Sequence, residues 1–294
     1  MKIYDNLLDI ADQFDTFLVD AYGVFWDGKG LIKGSPETLK TLVRQGKKVC
    51  ILSNTSAINY SYESRGLKQG IHYTKVITSG DVFYDALCRN DLPFPGHNIY
   101  MIGVLEFDIT RGTSYQLVNK IEKADLIYFG IPQLTEAEIK QYPDLKDSFF
   151  LSKKYYNSSA VKPFLDKVEQ AFQSHLPVVS TNPDLIAAEG GHWMIRQGTL
   201  AKLFRDMGGQ IYEFGKPYPN IYQYAFQKLG VQPSPKIAMI GDTYRTDIRG
   251  GLDAGITPIW CLDTGIAQYE VEHGTPILTQ AGGSLDGIIL IHHL

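Results

Sequence analysis

In Phe14-Asp15-Thr16-Phe17-Leu18-Val19-Asp20-Ala21-Tyr22-Gly23-Val24, the short apolar run Phe14 to Val19 ends abruptly in the carboxylate of Asp20. It reads as a buried β-strand that delivers Asp20 at its carboxyl end. The segments around it repeat the theme. Ser35 to Gln45 has apolar residues at helical spacing, with Pro36 near its start and Gly46 closing it. Lys48 to Leu52 is a second apolar strand, ending at Ser53-Asn54. A helix is expected through Tyr60 to Lys68, closed by Gly70, and Lys75 to Thr78 is a third strand. Strand and helix alternate with short loops, and that rhythm implies a parallel sheet covered by helices on both faces.

The C-terminal third resumes the pattern. Asn220 to Leu229 reads as a helix ending at Gly230, and Lys236 to Ile240 as a strand ending at Gly241-Asp242. Asp247 to Ala254 reads as a helix closed by Gly255, and Thr257 to Cys261 as another strand. The middle has strand candidates at Asn98 to Ile102, Leu126 to Gly130 and Val178 to Ser180. Helices are expected between them at Glu136 to Gln141 and Lys162 to Ser174. The chain is therefore expected to be α/β. A doubly wound, Rossmann-like parallel-sheet core is built from residues 1–88 and 199–294, and a second α/β unit over residues 89–198 is inserted between its halves.

The bulk properties exclude several classes. The 294 residues are 44 % hydrophobic and 20 % charged, with a formal net charge of -4. A globular protein fits, and neither nucleic acid nor an anionic membrane is an expected partner. The 18 tyrosines form no stacking pattern interleaved with basic residues. The start has no signal-peptide pattern, and no apolar run is long enough to span a bilayer. Cys50, Cys88 and Cys261 have no pairing pattern, which suits a reducing compartment, so a cytoplasmic location is expected.

Three polar clusters each follow an apolar strand: Asp20 with Tyr22, Ser53 with Asn54, and Asp242 with Asp247. In an open parallel sheet the carboxyl ends of the strands line one crevice, so these distant residues can converge there. A fourth piece is Lys216, in Gly215-Lys216-Pro217-Tyr218-Pro219 just before a helix. Asp20 and Asp242 offer hard oxygens that suit magnesium. Such an ion offsets the repulsion between carboxylates and a phosphate dianion and polarises the phosphoryl group. Lys216 adds a point charge, and Ser53 sits at a strand-to-helix turn where a hydroxyl and free N–H groups can hold phosphate oxygens. Such a set can carry in-line phosphoryl transfer to a carboxylate.

These motifs resemble the haloacid dehalogenase (HAD) superfamily, and within it the class IIA phosphatases that include the NagD-like enzymes. The family's first motif, Asp-x-Asp-Gly-Val/Thr, is met by Asp20-Ala21-Tyr22-Gly23-Val24. Its second is Ser53, its third Lys216, and its fourth, Gly-Asp-x-x-x-Thr-Asp, is Gly241-Asp242-Thr243-Tyr244-Arg245-Thr246-Asp247. The Asn-Pro-Asp segment common in the class IIA cap is Asn182-Pro183-Asp184. The resemblance implies a magnesium-dependent phosphatase acting on a small phosphomonoester, such as a sugar phosphate, nucleotide or phosphoglycolate-type acid, through an aspartyl phosphate. Asp20 is then the nucleophile and a metal ligand. The Tyr22 carbonyl and Asp242 complete the protein ligands, and Asp247 orients the metal shell. Ser53, Asn54 and Lys216 hold the phosphoryl group, and Asn182 and Asp184 reach the substrate from the cap at 89–198. Relatives of this class often pair through the cap, which implies a homodimer.

One position departs from the pattern. Tyr22 stands where most phosphatases of the family carry the aspartate that protonates the leaving oxygen. That aspartate then activates water, and as a base a phenol of pKa ~10 is poorly matched to neutral pH. The same Asp-Ala-Tyr-Gly stretch resembles the metal-free 2-haloacid dehalogenases, in which the aspartate attacks carbon. The cation site of the fourth motif argues against that reading, because two unbalanced carboxylates would repel a carboxylate substrate. A degenerate binder of phosphorylated metabolites is the non-enzyme alternative. Each residue alone also has an ordinary structural role. Asp20 can be a strand-end turn residue, Ser53-Asn54 a helix cap, and Lys216 a solvated loop lysine. Asp184 can cap a helix through Leu185 to Ala188, and His192 and Trp193 can serve packing or the pocket.

Overall fold

The computed structural model describes residues 2–58, 70–105, 107–134, 160–189 and 192–294. Two parallel sheets organise them. The larger has seven strands in the order β1 (Ile3–Asn6), β14 (Ile289–His293), β13 (Thr257–Cys261), β12 (Ile237–Gly241), β2 (Thr16–Val19), β3 (Lys48–Ser53) and β4 (Lys75–Thr78). Every neighbouring pair in it runs parallel. Strand β2 is buried along its whole length, and its side chains alternate between two apolar layers. Phe17 and Val19 pack with Leu39, Leu42, Val49 and Ile51 on one face. Leu18 packs with Cys50, Leu52, Met239 and Phe226 on the other. Burial of each such side chain is worth about 1.5–3 kcal/mol, so both faces of the central strand hold the sheet to its helices.

The covering helices follow from the sequence. Ser35–Arg44 has Pro36 in its first turn, where a missing N–H costs nothing, and buries Leu39 and Leu42, three residues apart on one face. Pro219–Leu229 covers the other side through Ile221, Tyr222, Ala225 and Phe226 and stops at Gly230, whose φ of 62° suits glycine.

The second sheet has five parallel strands in the order β11 (Ile211–Glu213), β8 (Val178–Ser180), β7 (Leu126–Phe129), β5 (Asn98–Ile102) and β6 (Gln116–Val118). The helices Lys162–Gln173 and Gln197–Asp206 cover one face. The other receives Phe83 and Leu87 from the helix Ser79–Arg89, with Phe83 stacked on Tyr128 at 5.4 Å. A separate antiparallel hairpin joins β9 (Ile186–Glu189) to β10 (His192–Ile195).

The doubly wound α/β expectation holds for the core, and several details differ. The second sheet runs beyond the expected boundary at 198, because Ile211 and Phe204 pack into its apolar layer and β11 pairs with β8. No helix follows Asp184. Leu185 to Ala188 instead enters β9, since Ile186 pairs with Ile195 and packs on Ile266 and Tyr269. The segment after Asp242 begins as a π-turn at Tyr244–Ile248, and only Arg249–Asp253 is α-helical. The edge strands β1 and β14 were not expected from the sequence. The expected helices Tyr60 to Lys68 and Glu136 to Gln141 lie outside the described residues. Among the described residues, no helix is long and apolar enough to cross a membrane.

Candidate active site

Strand β2 lies between β12 and β3, so three neighbouring carboxyl ends deliver Asp20, Asp242 and Ser53 to one edge of the sheet. Asp20 follows β2 directly, and its N–H donates to the Ile240 carbonyl at 2.9 Å, which ties it to β12. The π-turn after Asp242 brings Asp247 back beneath it, where the Thr243 N–H donates to Asp247 Oδ2 at 3.1 Å. Lys216 arrives on the crossover from the second sheet back to the core. Its chain is fixed by Asn54, which accepts from the Lys216 N–H at 2.7 Å and donates to the Lys216 carbonyl at 3.0 Å.

Lys216 is 1 % exposed, and its Nζ is spent entirely on the floor of the site. It donates to Asp20 Oδ1 at 2.6 Å and to the Leu52 carbonyl at 2.7 Å, and lies 2.8 Å from Asp247 Oδ1. Burial works against its charge. The carboxylates of Asp20, Asp247 and Asp184 outweigh that effect and hold the ammonium above its ordinary range.

Ligand atoms of Asp20, Asp242 and Asp247 all lie within 4.8 Å of one another. Burial lifts the Asp242 carboxyl well above the usual range, and the charges of Asp247 and Asp20 add to this. Burial likewise raises Asp247 to about 7, with the Lys216 charge opposing the rise. Asp247 Oδ1 is ion-paired with Lys216 but is a buried oxygen with no hydrogen-bond donor. Three crowded carboxylates facing one ammonium, with an oxygen left over, form a donor set that suits a hard divalent cation. Asp242 is aimed by its surroundings. The Ile266 N–H donates to its Oδ2 at 2.5 Å, and the Thr243 hydroxyl to its Oδ1 at 3.1 Å. Gly23 and Gly265 both have positive φ and press against this carboxylate so closely that a Cβ on either would collide with Oδ2. Sequence reading missed Gly265 and Ile266. Their only signal is Thr264-Gly265, which follows the end of β13.

The other expected residues divide. Ser53 lines the cavity beside Asp20 and accepts from the Thr55 N–H at 3.3 Å. Asn182 and Asp184 line the same cavity, and Asn182 Oδ1 holds the Asp184 N–H at 3.0 Å. Burial raises the Asp184 carboxyl, with Asp20 adding to the rise and Lys216 opposing it. Asn54 does not reach the cavity walls. Its amide is occupied by Lys216 and by Asp184 Oδ1, to which it donates at 3.0 Å, so it acts as a tie between the two sheets. Lys216 also lies below the walls rather than in them. Tyr22 lines both lobes of the cavity. Trp193 belongs to the wall of the larger lobe, and His192 is exposed.

Residues 17–108 match the haloacid dehalogenase-like hydrolase family, and residues 213–278 match the HAD-hydrolase-like family. Together they take in more than half of the chain, including Asp20, Ser53, Lys216, Asp242 and Asp247. The chain is a haloacid dehalogenase-like hydrolase. This HAD hydrolase is 24 % identical to phosphoglycolate phosphatase 1A of Arabidopsis thaliana, over 90 % of this chain and 74 % of that protein. It is 22 % identical to an acid sugar phosphatase of Staphylococcus aureus, over 88 % of this chain and 90 % of that one. The crystal structure of a haloacid dehalogenase-like hydrolase from Brucella suis superposes with a TM-score of 0.79 at 20 % identity, over 99 % of this chain and 100 % of that one.

Proposed function

We propose that this HAD hydrolase is a magnesium-dependent phosphatase that cleaves a small phosphomonoester through an aspartyl phosphate on Asp20. The observation that carries the reading is the floor of the site, where Lys216 Nζ binds Asp20 Oδ1 at 2.6 Å beside the Asp242 and Asp247 carboxylates. That contact engages one oxygen of the Asp20 carboxylate, and Asp20 also lines the cavity. The phosphatase names of the relatives from Arabidopsis thaliana and Staphylococcus aureus support the same reaction class.

In this reading Asp20 attacks phosphorus, the bond to the leaving oxygen breaks, and water then cleaves the aspartyl phosphate to inorganic phosphate. Asp20, Asp242 and the Tyr22 carbonyl would hold a magnesium ion, and Asp247 would orient its ligands. The ion supplies charge neutralisation and polarises the phosphoryl group. The Ser53 hydroxyl holds phosphoryl oxygens, while Lys216 holds the nucleophile from below. Asn182 and Asp184 bring the second unit to the site as a cap that shields it from water. The cap comprises residues 89–198 extended through β11 to Glu213, and two copies pair through it, which sedimentation would read as a dimer. Tyr22 replaces a carboxyl group with a phenol, a weaker acid and, near pKa ~10, a poorly matched base at neutral pH, so esters of acidic alcohols and phenols turn over fastest. The crowded carboxylates also disfavour a metal-free dehalogenase, whose carboxylate substrate they would repel.

Phosphate release from a panel of small phosphomonoesters, with magnesium and with chelator, tests the proposal. Magnesium-dependent release, fastest from aryl phosphates, is expected. A clean negative across the panel would favour a degenerate binder.

A further inference from the structure

The cavity beside Asp20 has two lobes that share Asp20, Tyr22 and Asp184 and differ in the rest of their lining. The smaller, about 80 Å³, holds Ser53, Thr55, Ser56 and Arg196. The larger, about 280 Å³, is walled by Ile186, Trp193 and Tyr269 and has a wholly acidic set of charged residues: Asp20, Asp27, Asp184, Asp242 and Glu272. Among the described residues, no lysine, arginine or histidine lines it. We propose that the larger lobe binds the leaving group and selects a planar, uncharged or cationic one, while rejecting leaving groups that carry a carboxylate or a second phosphate. This rests on the phosphatase reading and names the substrate class within it.

The shape argument comes from the aromatic pair. The Trp193 and Tyr269 rings have centroids 4.6 Å apart and touch each other, so they present a joined apolar surface at the wall. A cavity of about 150 Å³ already accepts a benzene ring. The lobe is larger than that, and aromatic surface rewards a flat ligand.

The charge argument comes from what stays unpaired. A cation at the floor answers Asp20 and Asp242, and the phosphoryl dianion answers that cation. Asp184 is held by Asn54 Nδ2 at 3.0 Å. Asp27 is fixed at the mouth, where its Oδ1 accepts from the Lys29 and Gly30 N–H groups at 2.7 and 2.8 Å. Glu272 is exposed at the last residue of the helix Gly265–Glu272, where the negative end of the helix adds to its charge. The nearby Arg245 is taken by Glu270 at 2.8 Å, and His273 stacks on Tyr269 without entering the lining. Arg196, the one cation lining either lobe among the described residues, lies in the smaller lobe with Ser53, the hydroxyl this reading gives to the phosphoryl group. Among the described residues, an anionic leaving group thus meets like charge and no cation in the larger lobe.

The test uses three phenyl phosphates whose para group is a carboxamide, a carboxylate or an aminomethyl. Each is assayed with the wild type and with the Asp27→Asn, Glu272→Gln double variant. Asparagine at 27 keeps the acceptor for the two N–H groups. For the wild type, kcat/KM for the carboxylate is expected at least ~10-fold below that for the carboxamide, the effect of ~1.4 kcal/mol of repulsion. The double variant should close most of that gap, and low salt should widen it in the wild type. Comparing ratios between proteins cancels leaving-group ability. A carboxylate hydrolysed as fast as the carboxamide, or a gap untouched in the double variant, overturns the proposal while leaving the phosphatase reading intact. If none of the esters releases phosphate, the phosphatase reading fails instead, and calorimetry with the free phenols decides this one. Binding of 4-(aminomethyl)phenol but not 4-hydroxybenzoate supports it, and the reverse overturns it.

Discussion

The floor of the site and the wall of its larger lobe are held together by different forces. On the floor, Lys216 is 1 % exposed and contacts Asp20, Asp247 and the Leu52 carbonyl at once. Nothing there has room to move, because Asp242 is clasped by Gly23, Gly265 and the Ile266 N–H. The wall is made from the β9–β10 hairpin and the helix Gly265–Glu272, joined by apolar contact among Ile186, Trp193, Ile266 and Tyr269. Charge placement fixes the floor before any substrate arrives, which is what electrostatic catalysis requires. Shape and surface charge make the wall, and those can change without disturbing the chemistry.

Four substitutions would break or sharpen that contrast. Asp20→Asn removes the nucleophile and should cut turnover by more than ~10,000-fold, with circular dichroism unchanged. Full activity in this variant would mean the floor does not carry the reaction. Lys216→Met should cost ~3–5 kcal/mol of stability in urea titrations, because it strands Asp20 and Asp247, which have no other ion-pair partner among the described residues. An unchanged midpoint would show that the buried network is not what locks the floor. Tyr22→Asp should raise kcat on alkyl phosphates by ~100-fold, the low end of general-acid assistance, and change aryl phosphates little. Equal effects on both classes would point to a slow step other than proton transfer. Trp193→Ala, on the wall, should raise KM for aryl phosphates by ~10-fold, matching ~1.4 kcal/mol of lost contact, while kcat holds. A fall in kcat instead would tie the wall to the chemistry and dissolve the contrast.

The carboxylates of the floor were largely legible in the sequence, because Asp20 and Asp242 each follow a recognisable apolar strand. β2, β3 and β12 announce themselves by short buried runs, and a parallel sheet places their ends together. What the sequence could not show was how deep each group sits. Lys216 read as a residue of the phosphate pocket and is buried beneath it. Asn54 read as a substrate contact and is spent on Lys216 and Asp184. Both outcomes depend on a tertiary contact across 162 residues, which no local pattern records. The wall was mostly illegible. Leu185 to Ala188 is too short for its period to separate strand from helix, and its pairing with His192–Ile195 and packing on Tyr269 decide the matter. The extension of the second sheet to β11 was hidden for the same reason, since three residues carry no periodicity.

The most direct test of the floor's role is chemical trapping of the intermediate. The protein is mixed with magnesium and an aryl phosphate, quenched during turnover into hydroxylamine, digested and read by mass spectrometry. An aspartyl phosphate on Asp20 would convert that side chain to the hydroxamate, in the wild type and not in protein treated with chelator. Steady phosphate release with Asp20 unmodified, or a hydroxamate at another carboxylate, would contradict the assignment of Asp20 as the nucleophile.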